Sequence, residues 1–257
     1  MKGILVSIDK NLLLLAIINK KIKPYLQPII NDNFKIKGFE VLARWERFDN
    51  VIIFPSDFLD ILRDDEILLE KFTISLIEQL IDFFVFKKTD DIELHINIYS
   101  VSLSPHVIER LLFLNKLAKV VIEILEDDVI ISECFIYKML ELRLNGIQFA
   151  IDDFGCGFNN TERLDKYKFD ILKIDKKFIS AIDNNISKYN LVKNIVSLSD
   201  ANNFKLIAEG VEKKEEFEIL RRLGVKYFQG FLFYKAMPLN KVDEIIFQMK
   251  DFVSEMS

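Results

Sequence analysis

Eight apolar runs of strand length, alternating for most of the chain with stretches of helical spacing, constrain this sequence more than any other feature. The runs are YLQPII from Tyr25, KIKGFEVLA from Lys35, IELHINI from Ile92, KVVIEIL from Lys119, IQFAIDD from Ile147, DILKI from Asp170, KLIAEG from Lys205 and KYFQG from Lys226. Between them, apolar residues recur at helical intervals, as at Phe135, Met139 and Leu142, and again at Val192, Ile195 and Val196. Strand and helix in alternation imply an α/β fold with a largely parallel sheet, and eight strands suffice to close a (β/α)8, TIM-like barrel. The first two runs are joined only by Asn31-Asp32-Asn33, too short for a crossover helix, so an antiparallel first strand pair is expected.

The chain has 257 residues, 50% of them hydrophobic, enough for one large core. No linker rich in Gly, Pro or Ser divides it, and one barrel domain is expected over 9–252, with an extension at 1–8 and a tail at 253–257. LLLLAII from Leu12 lacks a small-residue cleavage site before Asn19-Lys20-Lys21 and reads as a helix face. The denser stretch from Ile67 to Phe86 is interrupted by Glu70, Lys71, Glu78, Gln79 and Asp82, which argues for a buried amphipathic helix rather than a membrane span. Net charge is −5 and the basic residues are scattered, so no extended nucleic acid is expected as a partner. Cys134 and Cys156 show no metal-ligand spacing and cannot make a disulfide framework, which fits a cytoplasmic protein.

Polar residues stand where nearly every strand run stops: Glu40, Asn97, Glu123, Asp152 with Asp153, Lys173, Glu209 with Glu212, and Gln229. In a barrel the strand C-termini converge on one face, where active sites are assembled. Each residue alone has an ordinary explanation, such as an N-cap or a solvated helix start; the series does not. Glu40, Glu123, Asp152, Asp153, Glu209 and Glu212 could not all stay ionised in one partly dry pocket without cations. Carboxylates plus the amide of Asn97 suit Mg²⁺ or Mn²⁺. Neighbouring strand residues face opposite ways, so Asp152 and Asp153 can share a site only where the strand breaks, a break expected at Phe154-Gly155-Cys156-Gly157. Two carboxylates there suit paired ions, the arrangement of phosphate-ester displacement. Arg44, four positions beyond Glu40 on one strand face, offers a planar group that binds phosphate bidentately.

The motifs GFEVLARW, LHINI, VIEILE, IDDFGCGF, DILKID, IAEGVE and QGFLF, in this order, resemble those of the EAL-type cyclic di-GMP phosphodiesterases. The spacing matches too, with twenty positions from Asp153 to Lys173 and thirty-six from Lys173 to Glu209. The resemblance covers nearly the whole chain and implies hydrolysis of cyclic di-GMP to linear pGpG. It further implies that Glu40, Asn97, Glu123 and Asp152 hold one ion, that Asp152 and Asp153 serve a second, and that Glu209 is the general base and possible metal contact. Lys173 would orient the attacking water or the phosphate, Gln27, Leu42 and Arg44 would contact the nucleotide, and Glu212 and Gln229 would complete the pocket. Glu126 would brace the mobile loop after Asp153, and a homodimer would form near that loop.

This chain departs from the family pattern with Val41 in the Glu-Ala-Leu signature, Leu125 and Cys156 where Thr is usual, Asn159-Asn160 in the loop, and Ala236 where proline is common. None of these removes an implied metal ligand. Two other readings stay open: a module that binds cyclic di-GMP or a regulatory protein with little turnover, and a barrel phosphohydrolase for another nucleotide. His95 shares the inward face of Asn97 and reads as a buried, hydrogen-bonded core histidine, and His106 has no partner pattern. Trp45 is open to two roles, contact with a base or packing in the barrel.

Overall fold

The computed structural model describes residues 8–47, 51–87, 92–125, 133–154, 167–242 and 244–245. Its strands are β1 (Ile22–Asn31), β2 (Ile36–Glu46), β3 (Ile52–Ile53), β4 (Glu93–Asn97), β5 (Lys119–Leu125), β6 (Gln148–Phe154), β7 (Ile171–Ile174), β8 (Lys205–Ala208), β9 (Tyr227–Phe228) and β10 (Met237–Pro238). The helices are α1 (Lys10–Ile18), α2 (Leu59–Arg63), α3 (Glu66–Phe84), α4 (Pro105–Leu114), α5 (Glu133–Leu144), α6 (Lys176–Ile179), α7 (Ile186–Asn202) and α8 (Lys214–Leu223).

Strand pairing runs β1-β9-β8-β7-β6-β5-β4-β2 and returns from β2 to β1, closing a barrel of eight strands. All eight coincide with the apolar runs of the sequence. β1 is antiparallel to both β2 and β9, while the remaining neighbours are parallel. The short connection at 32–35 explains the reversal, because it leaves no length for a crossover. β3 and β10 are additions that the sequence pattern did not signal; each has two residues and pairs along the edge of β2 or β1.

Inside the barrel, Ile29, Val121, Ala150, Ile171 and Ile207 pack as an apolar plug with Tyr227 against it. Alternate residues of the same strands carry the larger core between sheet and helices. The helix expected at the N-terminus is α1, capped by the Asp9 side chain on Leu12 N at 2.8 Å, and it buries Leu13, Ala16 and Ile17. That face meets Trp45 and Phe58, whose rings stand edge to face at 6.0 Å, so Trp45 is a packing residue. The stretch expected as a buried amphipathic helix is α3. No described helix is long and apolar enough to cross a membrane.

Close backbone approach governs the end of the barrel where β8 and β9 finish. Val211 N donates to Gln229 O and Leu232 N to Val211 O, both at 3.0 Å. A Cβ on Gly230 would lie 2.0 Å from Val211 O and 2.3 Å from Val211 N, a clash that backbone can relieve only by moving. Gly230→Ala should therefore destabilise the protein by about 1–3 kcal/mol, the usual range for overpacking. Urea unfolding tests it, and an unchanged midpoint would contradict this account of the segment that carries Gln229.

Candidate active site

The polar residues expected at strand ends do converge. Glu40, Glu123, Asp152, Lys173 and Gln229 are buried at the C-terminal mouth, with Glu209 immediately after β8 and Asn97 opening to solvent at the end of β4. Parity places them there: Val121 and Glu123, Ala150 and Asp152, Ile171 and Lys173, and Ile207 and Glu209 each share a strand face. The apolar plug is thus the layer directly beneath the charged one.

Lys173 sits at the centre, with its side chain fully buried. Its Nζ lies 2.5 Å from Glu209 Oε1, 2.7 Å from Glu123 Oε1, 3.1 Å from Asp152 Oδ1 and 3.8 Å from Glu40 Oε2. The ammonium is thus a positive charge set among these four carboxyl groups. Around it, Asn97 Nδ2 donates to Glu40 Oε1 at 3.1 Å and Gln229 Nε2 to Glu40 Oε2 at 2.5 Å. Gln229 Nε2 also reaches Gln27 Oε1 at 3.2 Å, and Gln27 Nε2 donates to Tyr234 O. Gln27 and Glu40 are register partners across β1 and β2, which is why the antiparallel pair contributes from both strands.

Burial alone would lower the Lys173 pKa; Asp152, Glu123, Glu209 and Glu40 outweigh it and hold the ammonium well above its ordinary value. Burial pushes Glu209 well above the usual carboxylate range. Lys173 opposes that rise, and Asp152, Glu40 and Glu123 add to it. Asp152 is raised by burial against the pull of Lys173. Asp153 is raised to about 7 by burial and by a hydrogen bond with Asp175. One cation cannot neutralise this many carboxyls, and that imbalance adds to burial in raising Asp152, Asp153 and Glu209.

Of the break expected at Phe154-Gly155-Cys156-Gly157, only Phe154 is among the described residues, and the backbone already turns at the residue before it. β6 continues through Phe154, and Asp153 itself adopts a left-handed backbone, φ 57°, within a register irregularity between β6 and β7. Asp152, Asp153 and Glu209 each offer an oxygen within 4.8 Å of the others. Glu123 Oε2 is buried with no hydrogen-bond partner. An orphan carboxylate oxygen beside a cluster of oxygen donors fits a hard divalent cation, and nothing in this set favours zinc.

Other expected residues lie around the mouth. Leu42 and Arg44 follow Glu40 on the same face of β2; Arg44 Nη1 donates to Ala43 O at 2.7 Å and its guanidinium lies 4.7 Å from the Phe54 ring centroid. Glu212 is not drawn into the buried cluster: it pairs with Lys176 at the exposed rim. Ala236 immediately precedes β10, and Leu125 ends β5. Glu126, Cys156, Asn159 and Asn160 lie outside the described residues, as do 253–257 and all but Ile8 of 1–8. Sequence reasoning missed Asp175, which caps α6 through Lys177 N while bonding Asp153. Its signal was present in DILKID, where a carboxylate follows Lys173 at two positions.

Asp152, Asp153 and Glu209 bind a proton more tightly folded than unfolded, so their contribution is present below the unfolded pKa of about 4 and is lost as pH rises; for Asp153 the window closes at about 7. Metal-free protein should therefore be more stable at pH 5.5 than at pH 7.5, with Asp153→Asn removing part of the difference. Urea midpoints at the two pH values measure this. A midpoint that rises with pH would refute it.

The EAL domain model matches residues 10–236. The probable cyclic di-GMP phosphodiesterase PdeA of Escherichia coli K12 is 32% identical over 228 residues, 84% of this chain and 30% of PdeA. The cyclic di-GMP phosphodiesterase PdeL of the same organism is 31% identical over 238 residues, 88% of this chain and 66% of PdeL. The chain thus spans under half to about two-thirds of the length of such relatives. The solved structure of the EAL enzyme Bd1971 in its cAMP and cyclic-di-GMP bound form superposes with a TM-score of 0.76 at 26% identity, covering 92% of this chain and 67% of that one. With the motifs in order, the barrel closed and its charged mouth assembled, this chain belongs to the EAL-domain family.

Proposed function

We propose that this chain is a cytoplasmic, metal-dependent phosphodiesterase that hydrolyses cyclic di-GMP to linear pGpG. The observation that carries this reading is the convergence of Glu40, Asn97, Glu123, Asp152, Asp153 and Glu209 at one end of the barrel, four of them within 3.8 Å of one buried ammonium. It is supported by relatives named as cyclic di-GMP phosphodiesterases and by a similar barrel that holds this nucleotide.

Glu40, Asn97, Glu123 and Asp152 would hold one Mg²⁺ or Mn²⁺ and Asp152 with Asp153 a second. Bound there, the pair would polarise a phosphate oxygen and make water a better nucleophile. Glu209 takes the proton from the attacking water, a task suited to a carboxyl whose proton affinity is raised by burial. Lys173, fixed by its four contacts, orients the water or the phosphate. Arg44 at the rim of β2 binds phosphate, while Gln27, Leu42, Glu212 and Gln229 line the nucleotide's path. Glu126 would steady the loop that follows Asp153.

Purified protein with Mg²⁺ or Mn²⁺ should open cyclic di-GMP, and chelation should abolish turnover. Glu209→Gln should lower kcat by about 10²–10⁴-fold with nucleotide affinity nearly unchanged, whereas Glu40→Ala should weaken metal binding first. Folded, metal-loaded protein that binds the nucleotide and never opens it would instead be a sensing module, or one that engages a regulatory protein.

A homodimer is proposed as well. α5 exposes Tyr137, Leu140 and Leu144, spaced as one apolar stripe that a second copy could cover. Light scattering with and without metal and nucleotide tests it, and single-chain mass in a fully active sample would refute any need for pairing.

A further inference from the structure

β4 sends Glu93, His95 and Asn97 into the barrel at a spacing of two, and the middle residue links the site to the opposite end of the interior. The His95 side chain is fully buried. Its Nδ1 lies 2.8 Å from Glu123 Oε1 and its Nε2 lies 3.3 Å from Glu93 Oε2. Glu93 is paired in turn with Lys205, at the start of β8, whose Nζ lies 4.3 Å from the Tyr227 ring centroid. Gly38 makes the close approach of β2 to this point possible: a Cβ there would come within 2.9 Å of Glu93 Cβ.

The two oxygens of Glu123 are treated differently by their surroundings. Oε1 meets both His95 Nδ1 and Lys173 Nζ, whereas buried Oε2 has no hydrogen-bond partner. A carboxylate held through one oxygen cannot turn about its bond to Cγ without losing two contacts. We infer that His95 is a positioning residue for Glu123, braced from below by Glu93 and Lys205, and that it reserves Oε2 as the oxygen that takes the cation. The inference rests on the metal-site reading above. Donation from Nδ1 requires only the proton on that nitrogen, which the charged ring and one neutral tautomer both carry.

A histidine kept merely to fill the barrel could be exchanged for Leu, which supplies similar bulk, without loss of metal affinity, whatever stability is lost by leaving Glu93 and Glu123 short of a partner. A positioning histidine would instead be replaceable by Asn, whose Nδ2 branches from Cγ as Nδ1 does. The two roles therefore predict opposite orders of tolerance.

The test is Mn²⁺ titration calorimetry without nucleotide on wild type, His95→Leu, His95→Asn and Glu93→Gln, with a urea midpoint for each. His95→Leu should lower Mn²⁺ affinity about 10–100-fold, the usual effect of removing the partner that orients a ligand. His95→Asn should stay within about threefold of wild type, and Glu93→Gln should fall about tenfold. Folded His95→Leu that binds Mn²⁺ as wild type does would overturn the inference while leaving the metal site standing. Wild type that takes up no Mn²⁺ would overturn the metal-site reading and this one with it. If His95→Leu does not unfold cooperatively, Glu93→Gln decides: undiminished affinity overturns the inference, and the tenfold loss supports it.

Discussion

Lys173 is the interaction on which the rest of this barrel depends. Four carboxyl groups at 2.5 to 3.8 Å share one ammonium with no access to solvent. Removing one partner from such a cluster is far costlier than removing an exposed ion pair, because the remaining charges stay buried. The apolar layer beneath it supplies the low dielectric that makes these charge contacts strong.

Seen along the barrel axis, the interior is one chain of polar contacts: Lys205, Glu93, His95, Glu123, Lys173, and then the remaining carboxyls. Each member satisfies the one above it, and burial drives Glu93 and His95 in opposite directions from what their partners do. His95 is raised because Glu123 and Glu93 outweigh its burial. Glu93 is held down to about 2 because His95 and Lys205 outweigh its own. The chain of contacts stops at Glu123 Oε2 and at the trio of Asp152, Asp153 and Glu209, where oxygens outnumber cations. That surplus is the chemical reason to place a divalent ion at the mouth and nowhere deeper.

Fold geometry and site geometry meet in two backbone details. Asp153 accepts a left-handed conformation, uncommon for a residue with a Cβ, and so turns beside Asp152 instead of away from it. The reversed first strand sets Gln27 opposite Glu40, so one edge of the mouth is lined by two adjacent strands.

Much of this was legible in the sequence. The eight barrel strands, the antiparallel first pair and the polar residues toward the ends of most strands follow from local pattern, because alternation of faces and loop length are properties of neighbouring residues. The order of the motifs likewise carries the family resemblance by itself. What only the tertiary structure decided were contacts between residues far apart in sequence: Lys173 against four carboxyls, Asp175 against Asp153, Glu212 drawn to Lys176 at the rim, and His95 as a bridge where the sequence offered only a buried histidine. The left-handed backbone at Asp153 was also hidden, since the apolar alternation of IQFAIDD does not mark it. Periodicity is written residue by residue, whereas the balance of buried charge exists only once eight strands have brought it to one place.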